Sequence, residues 1–155
     1  MTRKPASLTA ATARFVGIYI LFMAAIVAFE IALDYFFHYT LKTNISGLIV
    51  PFFAALDTGA WIVKRTGEKP EPTFAWRAAL SFTLATVILS VTIIFGLYTS
   101  KLLPELDGII ADRSGVYILL GVAAALSLLL ILLLLLGFGL GVRQTLKLRE
   151  KAARG

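Results

Sequence analysis

The stretch FVGIYILFMAAIVAFEIALDYFF, residues 15–37, decides the fold class of this chain. It is long and apolar enough to cross a hydrocarbon core of about 30 Å at a rise of roughly 1.5 Å per residue, yet it carries Glu30 and Asp34. A carboxylate in hydrocarbon costs roughly 2.5 to 3.5 kcal/mol on insertion scales, so other apolar segments must shield it or water must reach it. Three further apolar runs follow, at residues 45–63, 74–99 and 115–140. With the first they predict an all-α bundle of four transmembrane helices, at about 14–38, 45–63, 74–99 and 115–142.

Composition agrees with that class. Of 155 residues, 59% are hydrophobic and 15% charged, which fits one compact membrane domain over residues 1–155 with a short basic leader and tail. The lack of cysteine excludes disulfides, thiolate metal sites and cysteine nucleophiles, and the single histidine is too few for most metal sites. No metal or cofactor is therefore expected. The net charge of +6 lies at the membrane edges, which points to anionic lipid headgroups rather than to nucleic acid. Lys64, Arg65, Arg143, Lys147 and Arg149 are the expected lipid contacts.

The first run is not read as a cleaved signal. It exceeds the usual apolar core of one, contains Glu30, and leads into Tyr35-Phe36-Phe37-His38-Tyr39 instead of small residues. The second run contains Pro51, which predicts a kink, and Asp57. It ends at Lys64-Arg65-Thr66-Gly67-Glu68-Lys69-Pro70-Glu71-Pro72-Thr73, a turn with Thr73 expected as the next N-cap. In the third run Ser81 and Ala85 share a face with Leu89, and Thr86 and Ser90 an adjacent one. Ser114 is expected to cap the fourth run, whose Leu128–Leu136 portion has no polar face and is expected at the lipid-facing edge. Gly137 and Gly141 form a Gly-x-x-x-Gly where backbones can approach closely. Asn44-Ile45-Ser46 fits a glycosylation acceptor, but at a membrane edge where modification is not expected.

Orientation follows from the basic residues. Twelve of the fifteen Lys and Arg lie in the leader, the link between the second and third runs, and the tail; Lys42, Lys101 and Arg113 lie on the other side. The positive-inside rule then places both termini in the cytoplasm. Trp61, Trp76 and Tyr19 fall near the inner boundary and Tyr35, Tyr39, Tyr98 and Tyr117 near the outer one, as aromatic belts do.

The chemically suggestive constellation is Glu30, Asp34 and His38, which on a continuous helix form one stripe that could relay protons or hold a cation. The alternative is that the helix emerges near Asp34, so that only Glu30 is buried. Asp57 is a second candidate in the opposite half of the membrane, expected to bond hydroxyls of the third helix, Trp76 or a snorkelling Lys64. No phosphate-binding glycine loop, zinc-protease histidine pair or Ser/His/Asp set is present, so an enzyme is not expected.

Residues 57–70, DTGAWIVKRTGEKP, with Trp76-Arg77 and Ser81 downstream, resemble the ABZJ-type family of four-span bacterial membrane proteins. Phe74 stands near a position where that family has an acidic residue. The resemblance implies a bacterial inner membrane and no assigned activity. Ala25-Ile26-Val27-Ala28-Phe29-Glu30 is similar to the first helix of small multidrug-resistance exporters, which implies proton exchange through Glu30. Two functions are thus expected: an accessory protein packed against a larger membrane complex or lipid, or a small proton-coupled transporter acting as a homodimer.

Overall fold

The computed structural model describes residues 7–38, 46–101 and 113–154. The described residues are all-helical, with no strand, and form α1 (Leu8–Phe37), α2 (Ser46–Thr66), α3 (Pro72–Thr99) and α4 (Arg113–Arg154). Each is long and apolar enough to span a membrane. The link at residues 40–44, the Asn44 acceptor, Tyr39, and most of the link containing Pro104, Glu105, Asp107 and Asp112 lie outside the described residues.

Several boundaries differ from the expected ones for local reasons. α1 begins six residues before residue 14, because the Ser7 hydroxyl accepts from the Ala10 N–H (3.4 Å) and the residues that follow include alanines that favour helix. At its far end His38 takes a left-handed conformation (φ 50°) and returns its N–H to the Asp34 carbonyl. α3 is not capped by Thr73. It starts at Pro72, whose fixed φ suits the first helical position, with Glu71 as the flanking residue. α4 does not stop at the expected residue 142. Residues 143–154 contain no Gly or Pro and are rich in Leu, Lys, Arg, Glu and Ala, so the basic tail continues as helix. Ser114 accordingly lies within α4. Pro51 is buried inside an unbroken α2.

The helices form a ring in which α2 contacts α1 and α4, and α3 contacts α1 and α4. The tightest seam joins α2 to α4. Gly137 stands against the Phe52 carbonyl (2.8 Å from where a Cβ would lie), Gly141 against the Leu56 carbonyl, and Gly59 against the Phe138 carbonyl. The pairs Phe52–Gly137, Leu56–Gly141 and Lys64–Arg149 ascend together along both helices, so α2 and α4 run parallel. The expectation that α4 sits at the lipid-facing edge is corrected in part. Leu130, Leu134, Phe138 and Val142 form a buried stripe, while Leu128, Leu129, Leu132 and Leu136 stay exposed. An all-leucine surface has no polar face, and only the glycines select which side meets α2.

The core lies at one end of the ring. Phe15 stacks on Phe82 at 4.3 Å between ring centroids, Phe138 packs on Phe82 at 6.3 Å, and Ala11, Ala54, Ala55, Ile62, Ala78 and Leu134 close around them. Contacts between Thr12 and Ser81, Arg14 and Asp57, and Arg149 and Lys64 put the start of α1, the end of α2, the start of α3 and the end of α4 at this same end. Beyond it α2 falls short. With 21 residues against 28 to 42 in its neighbours, it begins level with the middle of α4.

Candidate functional site

Two groups of polar residues stand out, at different depths. The first is built at the packed end. Arg14 on α1 donates from Nε (3.0 Å) and Nη2 (2.8 Å) to Oδ2 of Asp57 on α2. Its guanidinium also lies 5.3 Å from the centre of the Trp61 ring, and that of Arg65 lies 5.2 Å from the same ring. Trp61 is one turn beyond Asp57 on α2, so the helix repeat alone sets carboxylate and indole side by side to receive one arginine. Next to this cluster Thr12 and Ser81 share a hydroxyl hydrogen bond of 2.9 Å between α1 and α3.

Asp57 therefore does not bond α3 hydroxyls, Trp76 or Lys64, as expected from the sequence; Trp76 is exposed and Arg14 takes the carboxylate. Arg14, Thr12 and Trp61 were missed as site residues. The available signal was charge: Arg14 is the last basic residue before the first apolar run and Asp57 the single acid of the second, both near the same membrane boundary.

The second group is the stripe on α1. Glu30 is half-buried and Asp34 exposed, one helical turn apart. His38 leaves the helix in its left-handed conformation and is exposed, so the three-residue stripe is cut to two. Glu30 makes no hydrogen bond or ion pair with any described residue. It lies sixteen residues above Arg14, about 24 Å along the helix axis, so Glu30 and Asp57 are separate sites.

Tyr19 on α1 hydrogen-bonds Ser90 on α3, whereas four buried threonine hydroxyls are satisfied within their own helices. Thr58, Thr83, Thr86 and Thr145 are buried and donate to the carbonyl four residues back, at 2.8 to 3.0 Å. Ala85 is half-buried on α3. Among the expected lipid contacts, Lys64, Arg65, Arg143, Lys147 and Arg149 are all exposed, but Arg149 donates from Nη2 to the Lys64 carbonyl (2.8 Å). That carbonyl is one of the last four of α2, which have no partner inside the helix, so Arg149 caps α2 from α4. In comparisons with known proteins, no family model, curated protein or solved structure matches the chain.

Proposed function

We propose that this chain is a non-enzymatic protein of a bacterial inner membrane, with both termini in the cytoplasm, that packs as an accessory subunit against a larger membrane complex. One observation carries the reading. No described residue is buried beyond Tyr19 on α1, beyond Thr86 on α3, or before Leu130 on α4, so among the described residues the outer halves of three helices present mostly exposed apolar side chains. Lipid tails cover such a surface as well as protein does, but Glu30 lies on it, and a carboxylate facing hydrocarbon costs roughly 2.5 to 3.5 kcal/mol. A partner helix that supplies a hydrogen-bond donor removes that cost, and lipid tails do not. The resemblance to the ABZJ-type family supports the same location.

Glu30 also supports the second reading, a proton-coupled transporter. Extraction from native membranes in mild detergent, followed by the mass of the intact particle, separates the two. A stoichiometric complex that Glu30→Gln weakens supports the accessory role. A particle of this chain alone, with proton-coupled flux abolished by Glu30→Gln, replaces it with the transporter.

A further inference from the structure

The last three turns of α4 have a purpose beyond marking orientation. We propose that Lys147 and Lys151, with Gln144, form a binding site for the phosphate headgroup of an anionic phospholipid at the surface from which α4 emerges. The inference requires only that α4 crosses the membrane, and holds whether the outer halves of the helices meet a partner or lipid.

Gln144, Lys147, Leu148 and Lys151 line an open hollow of about 340 Å³ along one side of α4. Their spacing places them on one face, with the two ammonium-bearing residues a single turn apart. Lys147, Lys151 and Arg154 also border a second, smaller hollow of about 170 Å³, shared with Glu150. Residues 143–154 carry five cations, and Glu150 is their only acid. Arg149 is already engaged with the Lys64 carbonyl, which leaves Arg143, Lys147, Lys151 and Arg154 to act outward.

Depth selects the ligand. Val142 is the last buried apolar residue before the charges begin, and Lys147 stands five residues further, roughly 7 Å along the axis. The headgroup layer on each side of the bilayer is about 5 to 7 Å thick. Side chains on a helix lean toward its N-terminus, and α4 leaves the membrane C-terminus first, so Lys147 and Lys151 lean back toward the phosphates. Leu148, 67% exposed between them, offers an apolar contact for the glycerol region. Two ammonium groups one turn apart match a headgroup that carries two phosphates better than a zwitterionic one, whose own cation they would repel.

The test is native mass spectrometry of the full chain released from mixed micelles containing phosphatidylcholine, phosphatidylglycerol and diphosphatidylglycerol. The wild type should retain the anionic lipids, diphosphatidylglycerol most strongly. The Lys147→Gln/Lys151→Gln double variant, which changes only exposed side chains, should lose that retention by at least about tenfold. Arg149→Gln should keep it. Equal retention by the double variant and the wild type, or equal retention of phosphatidylcholine, would overturn the proposal. So would release of an acidic protein partner by the double variant with lipid retention unchanged, which would reassign the face to protein.

Discussion

Arg14 and Asp57 bring opposite charges into adjacent spans at a depth where water still reaches both side chains, which are 36% and 42% exposed. At that exposure the ion pair itself contributes about 0.2 to 1 kcal/mol. Arg14 also lies over Trp61, so its removal loses two contacts and removal of Asp57 loses one. Asp57→Asn should lower the melting temperature in mild detergent by at most about 4 °C, and Arg14→Gln by more. A double-mutant cycle should return a coupling of about 0.5 to 1 kcal/mol, and strict additivity would contradict the pairing. The sequence showed both charges near one boundary but did not join them. α1 is apolar on every side, so its pattern holds no stripe that says which face meets α2. His38 illustrates a different limit. Its spacing from Asp34 is helical, but its left-handed backbone takes it off the helix, and the i+8 position in the sequence carries no sign of that.

At the scale of elements, the parallel seam of α2 and α4 rests on glycine. A methyl on Gly141 or Gly59 would overlap the carbonyl it faces, whereas nothing stands within 4 Å of the position a Cβ would take on Gly139. Gly141→Ala should therefore destabilise the bundle by about 1 to 3 kcal/mol in a reversible unfolding assay, and Gly139→Ala by much less. Equal losses would show that helix propensity and not close approach governs these positions. This seam was partly legible, since Gly137 and Gly141 stand four residues apart in an otherwise leucine-rich run, though the sequence did not identify α2 as the partner. The turn was legible for a similar reason. Gly67 has φ 81° and returns its N–H to the Val63 carbonyl, and Pro72 opens α3, so each residue sits where its backbone preference suits it. The end of α4 was not. Basic residues mark where a chain leaves hydrocarbon, and a helix with good formers continues past that point.

Over the whole molecule, packing and polar pairing gather at the end where α1 and α3 begin and α2 and α4 finish. The opposite halves of α1, α3 and α4 rise past the shorter α2 and leave their apolar surface to the surroundings. Four spans could be read from length and hydropathy because the bilayer imposes both. The ring order could not, since hydrocarbon-facing and helix-facing positions are chemically alike in a membrane. The most direct test of the four-span arrangement uses the absence of native cysteine, which makes any introduced thiol unique. Single cysteines at Ser7, Glu68, Lys101 and Lys151, in sealed oriented vesicles, are labelled with a membrane-impermeant maleimide. The account predicts that Ser7→Cys, Glu68→Cys and Lys151→Cys react from one side and Lys101→Cys from the other. Reaction of Glu68→Cys and Lys101→Cys from the same side would show that α3 does not cross the membrane, and would contradict it.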